Sequence, residues 1–243
     1  MKLGRHKMTF AWATATNPGV VRDRNEDFVS PIDPGTNDKG LLVMVADGMG
    51  GHVAGEIASQ VAVEAASSHD GPPASRVQAA NEAVMRESMI RPDRAGMGTT
   101  LTLAEFSNKG RVEVAHVGDS RCYLFTEGGL HQLTEDHSLV NEMLAQGQIS
   151  DEEAVNHPRK NVITRALGTD WKVVIDNLEQ EIEVGDRYLL CTDGLTNMVT
   201  DDEIAEVLGT IEGAQPAAWA LVEKANLAGG EDNISVAVID ILP

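Results

Sequence analysis

Apolar and polar residues alternate in some short stretches of the chain and form continuous apolar runs in others, and both patterns are typical of β-strands. Residues 9–16 alternate loosely, and residues 234–241 alternate cleanly. Residues 41–46 form a continuous apolar run, which predicts a strand buried on both faces. Further strands are predicted at 99–106, 111–117, 121–125 and 187–192, with additional candidates within 164–167 and 173–182.

Helical spacing of apolar residues predicts two helices early in the chain and two late. Ile57, Val61 and Ala65 recur every four residues within the first, 53–68, and the others are expected at 75–89, 201–208 and 216–228. Shorter helices are predicted at 139–146 and after a capping box at 150–153. Because the strands are numerous and close in sequence, this order favours an α+β fold. We expect antiparallel sheets packed on each other with helices outside, not a doubly wound parallel sheet.

Composition narrows the class of protein. The 243 residues are 42% hydrophobic, and no linker rich in Pro, Gly or Ser divides them, so one domain is expected. With 38 acidic and 19 basic residues the formal charge is −19. An excess of acid disfavours non-specific nucleic-acid binding and contact with an anionic membrane, since both depend on Lys and Arg.

Targeting signals are also not evident in the sequence. Residues 1–7 carry three basic residues, but the apolar run of a signal peptide does not follow. No stretch approaches the roughly 20 apolar residues of a membrane span. Cys122 and Cys191 lie inside apolar runs, which predicts buried, reduced thiols that serve packing. A soluble cytoplasmic protein is therefore expected.

Five aspartates stand beside predicted turns, and they carry the candidate chemistry. They are Asp27, Asp47, Asp119, Asp193 and Asp232. Four of them adjoin Gly, Asn or Ser, and the fifth ends a charged run that begins at Arg22. Each turn alone is explained as well by turn chemistry, helix capping or a solvated charged face. Carboxylates that converge from several strand ends repel one another unless cations lie between them, and all-oxygen ligation suits Mg²⁺ or Mn²⁺. The combination predicts a metal-dependent hydrolase.

Taken in order, these residues resemble the metal-dependent protein phosphatase family, the PPM or type 2C group of Ser/Thr phosphatases. The resemblance also takes in Gly-Met-Gly-Thr-Thr at 96–100, Asp-His-Ser-Leu at 136–139 and Asn-Val-Ile-Thr-Arg-Ala-Leu-Gly at 161–168. It covers about 9–241 and is closest to compact bacterial members. It implies a four-layer α-β-β-α sandwich, in which two antiparallel sheets lie between helix pairs. Residues 9–243 would be a single catalytic domain with a flap at about 137–161, and residues 1–8 a short N-terminal extension.

The resemblance also implies a binuclear Mn²⁺ or Mg²⁺ centre in a cleft at one end of the sandwich. In this resemblance Asp47 would bridge the two ions and the Gly48 carbonyl would ligate one of them. Asp193 and Asp232 would hold one ion, Asp27 would support the other through water, and Asp119 matches the ligand of a third, weaker ion. Arg22 matches the arginine that binds the substrate phosphate. The implied reaction is hydrolysis of phosphoserine and phosphothreonine by metal-activated water. The implied partners are phosphorylated proteins and a cognate Ser/Thr kinase with its substrates, and a monomer is expected.

One position departs from the family pattern. Eukaryotic members carry His two residues after the bridging aspartate, where it is proposed to protonate the leaving group, but this chain has Met49. His52 is a candidate substitute or substrate contact, or a helix-start residue without a catalytic part. A metal-bound water is the other candidate acid.

Three other functions are open to the same residues. A pseudophosphatase would keep the fold and bind a partner without turnover, but no matched aspartate is missing. A phosphatase dedicated to one phosphoprotein in a sigma-factor or stress cascade would use the same chemistry on a narrower substrate. A phosphodiesterase or nucleotide hydrolase would use the same ions on a different bond.

Overall fold

The computed structural model describes residues 8–50, 54–155 and 157–243. Twelve strands are found in these ranges: β1 (Thr9–Asn17), β2 (Asp27–Ser30), β3 (Gly35–Asn37), β4 (Gly40–Met49), β5 (Gly98–Thr99), β6 (Leu101–Ser107), β7 (Arg111–Val117), β8 (Arg121–Thr126), β9 (Gly129–Gln132), β10 (Asp176–Glu181), β11 (Arg187–Cys191) and β12 (Ile234–Leu242). The α-helices there are α1 (Ala54–Ser68), α2 (Pro73–Ile90), α3 (Leu139–Ala145), α4 (Asp151–Val155), α5 (Asp193–Thr196), α6 (Asp201–Thr210) and α7 (Ala214–Leu227).

The strands form two antiparallel sheets. The first sheet has the order β3-β1-β12-β11-β8-β9, and the second has the order β10-β7-β6-β4-β2, with β5 paired to the end of β4. Strand β12 lies beside β1 over nine residue pairs, from Thr9 opposite Leu242 to Asn17 opposite Ile234. The most distant parts of the sequence therefore meet in the middle of the first sheet.

Apolar side chains fill three layers between four layers of structure. Between the sheets, the Phe106 ring lies 5.9 Å from Phe10 and 5.1 Å from Tyr188, measured between ring centroids. Small residues of α1, such as Ala58 and Ala62, pack with α2 against the outer face of the second sheet. Helices α6 and α7 cover the first sheet in the same way. The predicted α-β-β-α sandwich is confirmed.

Most predicted elements are confirmed, and the differences have physical causes. The strand candidate at 164–167 is wrong: that segment contributes only a single bridge, between Leu167 and Thr99. Strand β4 does not end at Asp47 but continues to Met49, because Asp47 pairs with Asp27 and Gly48 pairs with Thr99. Strand β12 alternates in sequence, yet eight of its nine residues are buried, since both faces of this central strand are covered.

The two cysteines are free and buried. Burial raises the pKa of the Cys191 thiol to about 12, and it raises the pKa of Cys122 as well. Both thiols are therefore protonated at neutral pH, as the packing role predicted from the sequence requires. In the three described ranges, none of the helices combines the length and the apolar character needed to cross a bilayer.

Candidate metal centre

Asp47 is held in place by its own backbone. Its N–H donates to Thr100 Oγ1 at 2.9 Å, and its carbonyl accepts from the Thr100 N–H at 2.9 Å and from Thr99 Oγ1 at 2.8 Å. Opposite Asp47, on the neighbouring strand β2, lies Asp27. Hydrogen bonds on both sides hold the backbone of Asp47 in place, so the position from which its half-buried side chain projects is fixed.

The Gly48 position has no room for a side chain. A Cβ there would lie 2.1 Å from the Gly55 carbonyl oxygen and 2.5 Å from that of Glu26, which also accepts from the Gly48 N–H at 3.1 Å. The backbone at Gly48 is therefore pressed between the start of α1 and the loop before β2. Gly48 and Asp47 line the same cleft, and a backbone carbonyl and a carboxylate are both hard oxygen donors.

Asp193 and Asp232 come from two loops in direct contact. Asp193 opens the short helix α5, and its Oδ2 accepts from Asn197 Nδ2 at 3.0 Å. A Cβ on the next residue, Gly194, would lie only 1.9 Å from the Asn233 carbonyl oxygen. Glycine at 194 thus allows the loop after β11 to lie against the loop before β12, which carries Asp232.

Asp27 and Asp119 complete the group from opposite sides. Asp27 Oδ2 accepts from Thr192 Oγ1 at 2.8 Å, so this buried carboxylate lies behind the cleft wall and not on it. Asp119 follows β7 in a turn whose first residue, Gly118, has a φ of +118°. His137 holds this turn in place, because its Nδ1 accepts from the Gly118 N–H at 3.0 Å.

The pKa values show how strongly these carboxylates affect one another. Burial raises the pKa of Asp47 well above its ordinary value, and the charges of all four other aspartates raise it further. Burial raises the pKa of Asp27 to about 7 and that of Asp119 to about 8, and neighbouring aspartates add to both shifts. Burial and the charge of Asp232 also raise the pKa of Asp193. Each carboxylate destabilises the charged form of its neighbours, and nearby cations would reverse this effect.

Unpartnered oxygen atoms indicate the same chemistry. Asp27 Oδ1, Asp119 Oδ1 and Asp193 Oδ1 are buried, and none accepts a hydrogen bond from any residue that the structure describes. Within those ranges, no three His, Cys, Asp or Glu side chains lie close enough to enclose a metal ion alone. The donors that line the cleft are carboxylate and backbone oxygens, and this chemistry fits Mg²⁺ or Mn²⁺, since such ions bind one or two carboxylates and complete the octahedron with carbonyl oxygen and water.

An open cleft of about 580 Å³ exposes this group to solvent. Its lining includes Arg22, Asp47, Gly48, Asp119, Asp193 and Asp232. Arg22 lies at the rim with 55% of its side chain exposed, and its Nη2 donates to Asp232 Oδ2 at 2.7 Å. Arg22 is thus placed beside the carboxylates, with part of its guanidinium facing the open cleft.

The predicted site residues are brought together with one exception. Arg22, Asp47, Gly48, Asp119, Asp193 and Asp232 line a single cleft, and Asp27 lies directly behind it. His52, the candidate proton donor, lies outside the described residues. Met49 lines the cleft at the position where the family pattern has histidine.

Sequence reasoning missed Asn233, the residue that holds the loop carrying Arg22 beside the cleft. Its buried Nδ2 donates to the carbonyl oxygens of Pro18 at 2.9 Å and Arg24 at 2.7 Å, and its Oδ1 accepts from the Glu26 N–H at 2.7 Å. One side chain thereby fixes the loop that carries Arg22. Its place directly after Asp232 was the available signal, but these bonds span more than 200 residues of sequence.

Known proteins resemble this chain closely. The family model described as protein phosphatase 2C matches residues 22–172. The chain is 41% identical over 238 residues to the serine/threonine phosphatase Stp of Listeria welshimeri, with 93% of each chain covered. It is 39% identical over 249 residues to the serine/threonine protein phosphatase PstP of Mycobacterium tuberculosis, covering 99% of this chain and 46% of that protein.

Solved structures agree with this likeness. The crystal structure of the Mycobacterium tuberculosis phosphatase PstP/Ppp superposes with a TM-score of 0.88 at 38% identity, covering 97% of this chain and 100% of the other. The catalytic domain of PstP in complex with two manganese ions superposes with a TM-score of 0.85 at 37% identity and the same coverage. The resemblance inferred from the aspartate motifs is confirmed, and the chain belongs to the protein phosphatase 2C family.

Proposed function

We propose that this chain is an active Ser/Thr protein phosphatase that removes phosphate from phosphoserine and phosphothreonine at a binuclear Mn²⁺ or Mg²⁺ centre. The observation that carries the proposal is the convergence of five aspartates, with three unpartnered buried oxygens, at one end of the sandwich. The names of its relatives supply the substrate class, and the PstP complex supplies the expected pair of manganese ions.

The proposed ligands follow the geometry of the cleft. Asp47 would hold both ions, as the family resemblance implies, and it lines the cleft together with Asp119, Asp193 and Asp232. The Gly48 carbonyl would ligate one ion, and Asp193 and Asp232 would hold the other from their paired loops. Asp27, behind the wall, would act through water, and Asp119 would serve a third, weaker ion.

When bound, the two ions lower the pKa of water so that hydroxide is available near neutral pH. Arg22 would hold a phosphoryl oxygen of the substrate through its exposed guanidinium, while its contact with Asp232 orients it. Asn233 would keep the Arg22 loop at a fixed distance from the aspartates. His52 stays a candidate for protonating the leaving oxygen. The protonated thiols of Cys122 and Cys191 need no part in the reaction.

The proposed activity implies a domain organisation, partners and a location in the cell. Residues 9–243 would form one catalytic domain, with 137–161 as the flap beside the cleft. A cognate Ser/Thr kinase would supply the phosphorylated substrates, and the phosphatase would act as a monomer in signal transduction. Two buried, reduced cysteines are consistent with a cytoplasmic location.

Phosphate release from a phosphothreonine peptide tests the activity. We expect turnover with Mn²⁺ and none with EDTA. Asp193→Asn, which keeps the side-chain shape, should lower kcat at least about 100-fold because it removes a ligand. Asp202→Asn, an exposed change in the first turn of α6, is the matched control and should leave kcat unchanged. Folded wild-type protein that releases no phosphate with Mn²⁺ would contradict the proposal and favour a pseudophosphatase. Faster hydrolysis of bis(p-nitrophenyl) phosphate than of the peptide would favour a phosphodiesterase.

A further inference from the structure

A second cavity, of about 440 Å³, adjoins the metal cleft on the flap side. The two spaces share Asp119, Asn161 and Asp193 as lining residues, so they are continuous at the carboxylates. The volume lies within the range of about 300–1,000 Å³ that is usual for ligand pockets. A phosphorylated residue bound in the cleft would therefore bring its sequence neighbours to the entrance of this cavity.

The walls of the cavity are apolar on two sides. The flap contributes Val140 and Leu144 from α3 and Ala154 from α4, and the segment after α5 contributes Met198 and Val199. Val140, Ala154 and Val199 are almost fully buried, whereas Leu144 and Met198 are only partly buried. Leu144 and Met198 therefore offer the apolar surface that an incoming side chain would cover.

Two charged residues of the lining, Arg121 and Asp136, form an ion pair with each other. Arg121 Nε donates to both carboxylate oxygens of Asp136, at 2.9 and 3.1 Å, and its Nη2 donates to Oδ2 at 2.8 Å. Its Nη1 donates to Tyr123 Oη at 2.9 Å, and that hydroxyl donates to Asp201 at 3.1 Å. Three of the five N–H donors of this guanidinium are used in these bonds, and its charge is offset by Asp136. The other basic residue of the lining, Lys160, is exposed to solvent.

We propose that this cavity is a substrate subsite that takes one apolar side chain, of the size of leucine or methionine, from a residue adjacent to the phosphorylated one. The proposal rests on the proposed phosphatase function, because only a polypeptide substrate would extend from the cleft into this space. Leu144 and Met198 bind the side chain by apolar contact, and they thereby set the sequence preference of the enzyme.

Phosphothreonine peptides with glycine at every flanking position provide the reference substrate. A single leucine is placed in turn at positions −2, −1, +1 and +2, and kcat/KM is measured with Mn²⁺. We expect leucine at one position to raise kcat/KM about tenfold over glycine, as partial burial of one such side chain allows. Aspartate at the same position should give no gain.

The variants Leu144→Gln and Met198→Gln change opposite walls with little change in volume. In each, the ratio of kcat/KM for the leucine peptide over the glycine peptide should fall to about one-third of the wild-type ratio or less. The ratio is taken within a single variant, so effects on folding or on the metal centre cancel. Val184→Gln, an exposed apolar position in the loop between β10 and β11, is the control and should keep the wild-type ratio.

The outcomes separate the two proposals. Turnover of every peptide with a leucine-to-glycine ratio near one at all four positions would overturn the subsite and leave the phosphatase intact. A preference that persists unchanged in both Leu144→Gln and Met198→Gln would place the preference elsewhere and also overturn it. No turnover of any peptide by folded, manganese-loaded protein would instead remove the proposed function on which the subsite rests.

Discussion

At the scale of single residues, Arg22 has two possible partners. It is proposed to bind the substrate phosphate, yet in the structure it donates to Asp232, a proposed metal ligand, at 2.7 Å. A planar guanidinium has five N–H donors, so it can hold the Asp232 carboxylate with one edge and present another to a phosphoryl oxygen. The pair would then link substrate binding to the position of a metal ligand.

Replacing Arg22 separates these two roles. We expect Arg22→Ala to raise KM for p-nitrophenyl phosphate by roughly tenfold, the effect of losing a charge-assisted contact, with a smaller change in kcat. Arg22→Lys keeps the positive charge but loses the planar pair of N–H donors, so its KM should lie between those of the wild type and of Arg22→Ala. A fall in kcat with KM unchanged would instead show that Arg22 serves mainly to orient Asp232.

At the scale of elements, the loop between β1 and β2 depends on one buried side chain from the other end of the sequence. Asn233 makes three hydrogen bonds to the backbone of this loop. The loop also rests on Gly230, whose carbonyl accepts from the Val20 N–H at 2.8 Å. The substrate side of the cleft is therefore held by contacts between elements and not by the local conformation of the loop.

Asn233→Ala should consequently affect both stability and substrate binding. We expect a loss of roughly 2–4 kcal/mol in the free energy of unfolding, since buried backbone groups lose their partners, together with a higher KM. Asn37→Ala is the matched control: its side chain also accepts from two backbone N–H groups, Lys39 and Gly40, but where β3 leads into β4, outside the cleft lining. It should lower stability without changing KM. An unchanged KM in Asn233→Ala would contradict the positioning role.

The base of the flap offers a second test at this scale. His137 accepts from the Gly118 N–H, its ring lies 4.7 Å from that of His116, and its Nε2 stands 3.1 Å from Asp176 Oδ2. Through Gly118, His137 fixes the turn that carries Asp119. Only the Nδ1 atom contacts this turn, whereas the Nε2 atom lies near Asp176 in β10.

Two amides can replace the two ring nitrogens separately. His137→Asn places an acceptor near the position of Nδ1, so the Mn²⁺ concentration needed for half-maximal kcat should stay near that of the wild type. His137→Gln carries its polar group at the depth of Nε2, leaves Gly118 without a partner, and should need severalfold more Mn²⁺. Equal Mn²⁺ requirements in the two variants would show that the Gly118 contact does not position Asp119.

At the scale of the whole molecule, the buried carboxylates make stability depend on pH. The pKa of Asp27 is raised to about 7 and that of Asp119 to about 8, above the value of about 4 for an unfolded aspartate. Between pH 7 and pH 8 the folded protein therefore binds more protons than the unfolded chain, so the free energy of unfolding falls as pH rises. The pKa of His116 is lowered to about 4 and that of His137 is also lowered, so the protonation of these two histidines affects stability mainly below pH 7.

Thermal unfolding measures this effect directly. In EDTA we expect Tm to fall from pH 7 to pH 8, and in Asp119→Asn the fall should be smaller. With saturating Mn²⁺ the fall should disappear, because cations favour the charged carboxylates. A Tm that is constant or rises across this window in EDTA would show that burial and neighbouring charges do not raise the pKa values of these aspartates in the folded protein.

The sequence predicted those features that depend on residues close to one another in the chain. Period-two and period-four patterns predicted the long strands and helices, and the order of the aspartates predicted which loops would meet. Short elements such as β2, β3 and α5 were missed, since three or four residues carry too little periodicity. The segment at 164–167 has strand-like residues but pairs with the two-residue strand β5 only at Leu167, which only tertiary structure decides. The roles of Asn233 and His137 depend on long-range hydrogen bonds that no local pattern encodes.

The central place of β12 has a consequence for the order of folding during synthesis. This strand follows the other eleven described strands in the sequence, yet it lies between β1 and β11, so the first sheet stays in two parts until it arrives. Asp232 directly precedes it, so the last carboxylate of the cleft is delivered by the same event. Contacts of such high sequence separation form late. A growing chain therefore completes its aspartate cluster only after residues 232–242 have been made, and a nascent chain that stops before them cannot act on phosphoproteins beside the ribosome.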